Sequence, residues 1–204
     1  MATTAVRRTT KILVLNPNSS KSMTHGLHEA IRGLELSQST EVHTYTAPSA
    51  SPASINDGED VLTSARVVES DLAGTGLLKQ YDAVIVACFS VHPLVGMLAE
   101  KEGEFGRLAV TGIFEASDFH GGVDPETVRQ KLRDATTRLL EKGDVECVVM
   151  GCAGMAGLEE IIRSVAVEKY GPSKANQLLV IDGVRAGLGL LEQMMRTKRA
   201  FQST

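Results

Sequence analysis

The sequence predicts an α/β fold of parallel sheets flanked by helices. Three observations carry that prediction. Apolar, β-rich runs alternate with stretches of helical apolar spacing along the whole chain. Turn residues punctuate them, as at Asn16-Pro17-Asn18, Gly143 and Gly171-Pro172. Several runs, Asp82-Ala-Val-Ile-Val-Ala87 most clearly, are apolar without alternation, which is the pattern of a strand covered on both faces. Parallel strands need crossover connections, and helices supply them while covering the sheet.

In order along the chain, Lys11-Ile-Leu-Val-Leu15 reads as the first strand and stops at the Asn-Pro-Asn turn. Ser22 to Leu36 reads as a helix and Glu41 to Thr46 as a second strand. The Pro-, Ser- and Ala-rich stretch from Thr44 to Asp57 is a loop, and Glu59 to Leu78 carries helical apolar spacing. After the Asp82–Ala87 strand come a helix over Leu94–Glu102 and a strand over Arg107–Gly112. Asp124 to Glu141 has the marks of a capped helix: Asp124 at the N-cap, Pro125 in the first turn, Gly143 past the end. Glu146 to Met150 reads as a buried strand, Leu158 to Lys169 as a helix stopped by Gly171-Pro172, Leu178 to Ile181 as a strand and Val184 to Arg196 as the last helix.

Composition excludes several classes. The 204 residues suit one domain or two small lobes. With 43% hydrophobic and 23% charged residues the chain is an ordinary globular sequence, and no apolar stretch is long enough to span a bilayer. A net charge of −4 and the lack of any dense basic run argue against nucleic-acid binding. Aromatics at 4%, with no tryptophan, leave nothing to stack bases on. Three cysteines do not make a disulfide framework and point to a reducing compartment. Residues 1–10 contain two arginines but no apolar core of a secretory signal, so the expected location is cytoplasmic.

Ligands in open parallel sheets bind beyond the carboxyl ends of the strands. Cys88 and Cys152 both stand there, each directly after an apolar strand and before a helix. A thiolate at such a place is favoured by the helix dipole and by free N–H groups; the plainer alternative is a small buried hydrophobe, and both readings stay open. Cys147 lies within a strand and is assigned to packing. Asn16, Asn18, Ser19 and Ser20 can hold a carbonyl or carboxylate, or simply build a turn and a helix N-cap. His92, four residues after Cys88, either tunes that thiol or caps the next helix. Lys11 is a Schiff-base candidate, and Glu115 follows a strand end. His25 and His28 share a helix face, but no carboxylate or cysteine completes a zinc pattern with them. The first strand is followed by Asn-Pro-Asn rather than Gly-x-Gly, so no nucleotide cofactor is indicated.

The blocks taken together resemble a family. Leu15-Asn16-Pro17-Asn18-Ser19-Ser20 with Met23-Thr24 is similar to the opening motif of hydantoin and allantoin racemases, within the aspartate/glutamate racemase superfamily. Ala87-Cys88-Phe89-Ser90 with His92-Pro93-Leu94 resembles the first cysteine segment of its fungal-type branch. Gly112-Ile113-Phe114-Glu115-Ala116-Ser117, Val149-Met150-Gly151-Cys152-Ala153-Gly154-Met155 and Ile181-Asp182-Gly183-Val184 with Ala186-Gly187 resemble later blocks, in family order.

The resemblance implies two α/β lobes with a site between them. Residues 1–115 with 180–204 would form the first lobe, carrying Cys88, and residues 116–179 the second, carrying Cys152. It implies Cys88 and Cys152 as the acid/base pair on opposite faces of the substrate. Asn16, Asn18, Ser19, Phe89, Ser90, Gly154 and Met155 would line the substrate. No metal and no other cofactor is implied, and the partners are a small-molecule substrate and further copies of the chain, with neither nucleic acid nor membrane.

The chain departs from the family at one place. Family members carry several dozen residues after the Glu-Ala-Ser segment, including a strand ending in a Val-Thr-Thr-Gly type motif. Here Ser117 leads through Asp118-Phe119-His120-Gly121-Gly122 almost directly to the Asp124 helix, and Thr136-Thr137 falls mid-helix. The second lobe is therefore expected to be shortened, lacking its first strand and helix, with an uncovered edge. Two other functions stand beside racemisation of a hydantoin-type ring. One is an inactive shortened relative that binds a ligand or a full-length partner. The other is an isomerase of an amino acid or dicarboxylate, against which no Lys or Arg flanks either cysteine motif.

Overall fold

The computed structural model describes residues 9–88, 90–100, 109–112, 125–141, 143–151, 155 and 157–202. Its elements alternate as expected: β1 (Thr10–Asn16), α1 (Lys21–Arg32), β2 (Thr40–Thr46), α2 (Gly58–Thr75), a short 3-10 turn (Leu77–Gln80), β3 (Ala83–Val86), α3 (Pro93–Glu100), β4 (Ala109–Gly112), α4 (Pro125–Leu140), β5 (Cys147–Met150), α5 (Glu159–Ala175), β6 (Leu179–Asp182) and α6 (Gly183–Gln202). The proposed N-cap Asp124 lies outside the described residues, as do Arg107, Glu115 and His120.

Strands β2-β1-β3-β4 form one parallel sheet in that order, and β5-β6 a second parallel pair. At β1 and β3 the first sheet is covered on both faces, which explains their unbroken apolar runs. Leu13, Leu15, Val84 and Val86 point to one side, against Ala65, Val68 and Leu72 of α2 and Leu94 and Leu98 of α3. Ile12, Val14, Ala83 and Ile85 point to the other, against Leu27 of α1 and Val184, Leu188, Leu191 and Met195 of α6. Each fully buried Leu, Ile or Val among them contributes roughly 1.5–3 kcal/mol of transfer free energy. Gly187 leaves room for the second contact: a Cβ there would sit 2.4 Å from Ile85 Cδ1, so any larger residue would force that side chain to shift.

Helix ends follow local chemistry. Asp57 caps α2 by accepting from Glu59 N and Asp60 N at 3.0 and 2.9 Å. Gly76, in the left-handed region at φ 62°, closes it by donating to Leu72 O. Gly171, at φ 76°, breaks α5 where the sequence places a stop, but the chain makes one further helical turn from Pro172, a residue suited to a new first turn. The last helix continues past Arg196 to Gln202.

The second sheet corrects two expectations. β5 is not buried on both faces: Val148 and Met150 face the core built with Leu132 and Leu140 of α4 and Ile162, Val165 and Ala166 of α5, whereas Cys147 and Val149 face outward. Cys147 is exposed, so it is not a packing residue. Its strand neighbour Leu179 is exposed on the same side. The run Cys-Val-Val-Met is apolar throughout and gave no sign of which face is covered.

α6 joins the two parts. It begins directly after β6 of the second sheet and packs along the first. Among the described residues, no helix is long and apolar enough to cross a membrane.

Candidate active site

The site is built at the carboxyl edge of the first sheet, where β1 and β3 lie side by side. Leu15 pairs with Val86, and Ala87 N donates to Leu15 O at 2.8 Å, so Asn16 and Cys88 come off neighbouring strand ends. Cys88 is half-buried, two residues beyond the end of β3.

The β1–α1 turn is a closed polar network. Asn16 is fully buried. Its Nδ2 donates towards Asn18 Oδ1, Thr24 Oγ1 and Ser20 O at 3.0, 3.0 and 3.2 Å, and its Oδ1 accepts from Asn18 N. Thr24 Oγ1 accepts from Thr46 Oγ1 at 2.7 Å and donates to Ser20 O. Ser20, not an asparagine, caps α1, accepting from Met23 N. Asn18 Oδ1 also accepts from Ser20 N, and its Nδ2 donates to Met23 Sδ. Asn16 thus organises the turn, with both amide hydrogens engaged inside it.

Ser19 faces the loop after β2. Ser19 N donates to Pro52 O and Ser19 Oγ to Ser51 O, while the buried Ser51 Oγ donates back to Pro17 O at 2.7 Å. The Pro- and Ser-rich loop is therefore latched over the β1 turn and walls one side of the site. Thr46 and Ser51 carried no signal in the sequence, and Thr24 appeared there only within the opening motif, because their roles depend on β1 and β2 being neighbours in register.

His92 resolves as a cap. It is buried; its Nδ1 accepts from Leu94 N at 3.3 Å and its Nε2 bonds Ser64 Oγ of α2 at 2.9 Å. Burial lowers its pKa to about 4, so the ring is neutral at ordinary pH. This changes the electrostatics expected for Cys88. Pro93 has no N–H, Leu94 N–H is taken by the imidazole, and Val95 N–H donates to His92 O. The first three positions of α3 therefore offer no free N–H to a thiolate, and what α3 supplies is its dipole.

In the second sheet Met150 pairs with Asp182 at the carboxyl edge. Asp182 Oδ1 caps α6 by accepting from Val184 N and Arg185 N, and Oδ2 accepts from Gly157 N at 3.2 Å. It thereby ties the exit of the β5–α5 connection to the start of α6. Arg185 bridges onward: Nε donates to Ala30 O of α1 and Nη1 to Glu159 Oε1 at the start of α5. Gly157, at φ 80°, faces Ala30: a Cβ there would lie 3.8 Å from Ala30 Cβ. Glu159 and Arg185 were not singled out by the sequence, since neither stands in a recognisable spacing.

Of the remaining candidates, Ser90 is half-buried in the β3–α3 turn, and Met155 packs partly against the second core. Phe89, Cys152 and Gly154 lie outside the described residues. Lys11 sits at the amino end of β1, with its ammonium near Glu41 at 3.8 Å, on the edge opposite the site, which removes it as a Schiff-base candidate. His25 and His28 are exposed on α1. Among the described residues no group of three or more His, Cys, Asp or Glu is placed to hold a metal ion.

Comparison with known proteins agrees with this architecture. The chain is 24% identical to protein DCG1 of Saccharomyces cerevisiae, over 92% of this chain and 97% of that one. It is 27% identical to a hydantoin racemase of a Pseudomonas species, over 91% and 86%. Both alignments, over 249 and 226 positions, are longer than this chain itself, so the relatives carry residues that it does not. Among solved structures, allantoin racemase from Klebsiella pneumoniae superposes with a TM-score of 0.63 at 20% identity, covering 93% of this chain and 89% of that one. Allantoin racemase from Pseudomonas fluorescens superposes with a TM-score of 0.57 at 19% identity, covering 92% of each. The model of the Asp/Glu/Hydantoin racemase family matches residues 12–120 and 108–191, two stretches that meet where the sequence departs from the family pattern, and on that span the chain belongs to the Asp/Glu/Hydantoin racemase family.

Proposed function

We propose that the chain is a cofactor-independent racemase acting at the ring carbon next to a carbonyl of hydantoin-type substrates, allantoin or 5-substituted hydantoins, by proton transfer between Cys88 and Cys152. The observation that carries this reading is positional. Cys88 comes two residues after the last residue of β3, and Cys152 two residues after the last residue of β5, each at the carboxyl end of a parallel strand. Cys147 is exposed at the start of β5, the opposite end of the strand from that edge.

One thiolate takes the proton from the ring carbon, and the C–H electron pair moves onto the carbonyl oxygen as an enolate. The other cysteine, as thiol, returns a proton to the opposite face, and the pair collapses back to carbon. The reverse reaction swaps the roles. A free thiol titrates near ~8.5, so modest tuning brings one of a coupled pair to the thiolate at neutral pH. Asn18, Ser19, Phe89, Ser90, Gly154 and Met155 are assigned to hold the ring, with Asn16 shaping the turn that presents them. The enolate charge is spread into the imide of a hydantoin-type ring, so few charged groups are needed around it.

Proton NMR in heavy water, with each enantiomer of allantoin and of a 5-substituted hydantoin, tests this. Loss of the ring C–H signal should exceed the protein-free blank and should fall by at least about a hundredfold in Cys88→Ala and in Cys152→Ala. Cys147→Ala should behave as the parent. Equal losses in Cys147→Ala and Cys152→Ala, or no exchange above the blank from folded protein, would overturn the reading. The second outcome would favour a shortened relative that works through a partner, a reading supported by the exposed face of Cys147, Val149 and Leu179 and by relatives with residues this chain lacks.

A further inference from the structure

We propose that His92, anchored by Ser64, is a positioning residue for Cys88, fixing the turn between β3 and α3 from its far end. This rests on the role given to Cys88 above. The turn is held at its start by Ala87 N donating to Leu15 O, which ties it to β1. At its end Val91 is exposed, yet the next residue, His92, is buried. The imidazole makes two bonds in different directions, one to α3 and one to α2.

The pattern dictates the tautomer. Nδ1 accepts from Leu94 N, so it carries no proton, and Nε2 carries the hydrogen. Nε2–H then donates to Ser64 Oγ, whose own hydrogen goes to Val61 O at 2.9 Å. Every polar atom in the chain from α3 to α2 is satisfied, and Ser64 is itself fully buried. A helix cap alone needs only the bond to Leu94, which asparagine makes as well. The additional reach to α2 locks the ring, and with it the end of the cysteine turn, to a second helix. The sequence left capping and tuning open; the geometry supports capping, with influence on the thiol through position rather than charge.

The experiment separates a cap from a positioning device. His92→Asn keeps an acceptor for Leu94 N but cannot reach Ser64; Ser64→Ala keeps the cap and leaves Nε2–H without its partner. The pH profile of iodoacetamide alkylation, resolved by mass spectrometry, is followed at Cys88, with the exposed Cys147 as internal reference. Both variants should shift the Cys88 midpoint and leave that of Cys147 unchanged. For racemisation they should lower kcat by about tenfold to a hundredfold with little change in KM. Cys88 profiles superposing on the parent in both variants would reduce His92 to a cap and overturn the proposal. Alkylation reads the thiol whether or not the chain racemises hydantoins, so a failure of the functional reading shows only in the kinetics. Nitrogen-15 histidine NMR on the unaltered protein gives an independent arm: a neutral Nε2–H tautomer at pH 7 is expected, and an Nδ1–H tautomer or an imidazolium would overturn the proposal even if a variant fails to fold.

Discussion

The two sheets of this protein are made of similar residues and solve burial differently. β3, Ala-Val-Ile-Val, is buried at every position, with α2 and α3 on one face and α1 and α6 on the other. β5, Cys-Val-Val-Met, is just as apolar, yet only Val148 and Met150 are covered. Its outer face shows Cys147, Val149 at 56% exposure and, across the pair, Leu179 at 56%. Parallel sheets ordinarily have both faces covered, because the crossovers bring helices to both. The difference teaches that an apolar strand does not by itself bring a covering layer to both of its faces. The cysteine blocks and the closing block remain in the sequence, while the relatives carry residues that this chain does not.

Substitutions can break or sharpen this contrast. The largest expected effect is in the first sheet: Ile85→Ala removes a fully buried side chain wedged between β3 and Gly187 of α6, and should cost about 2–5 kcal/mol in denaturant unfolding. Next is a pH effect in the same lobe. His92 titrates lower in the folded chain, at about 4, than its ordinary value of 6.5, so between those values the unfolded chain binds more protons. Stability should therefore fall as pH drops from 6.5 towards 4, by about 3 kcal/mol in all, and His92→Asn should flatten that slope. The smallest effect belongs to the second sheet: Val149→Ser on its open face should change stability by only about 0.5 kcal/mol or less. A cost for Val149→Ser comparable to that of Ile85→Ala would show that this face is covered in solution by another chain, and the contrast between the sheets would then belong to the isolated chain alone.

Much of the architecture was legible in the sequence. Asn16-Pro17-Asn18 ends β1, the helix read from Ser22 starts at Lys21, and the apolar run before Cys88 is a doubly covered strand. These features are local: turn residues, caps and unbroken apolar runs act within a few residues of where they are written. β5 was misread because four apolar residues fit a two-faced and a one-faced strand equally well. Gly171-Pro172 was read as a stop, and its left-handed glycine does break the helix, but proline also opens the next turn. The roles of Thr24, Thr46, Ser51 and Ser64 were not legible, since each depends on a partner more than twenty residues away or on which strands are neighbours.

By itself, then, the sequence determined the α/β class, the order of strands and helices, and the placement of Cys88 and Cys152 just past strand ends. Periodicity and turn chemistry are properties of contiguous residues, so they needed nothing else. The tertiary structure decided that His92 is a neutral cap linked to α2, that Asn16 is engaged within its own turn, that Arg185 bridges α1 and α5, and that Cys147 faces outward. Burial and hydrogen-bond partners are set by what packs against a residue, and a single chain of letters does not say which face of a strand meets a helix and which meets water.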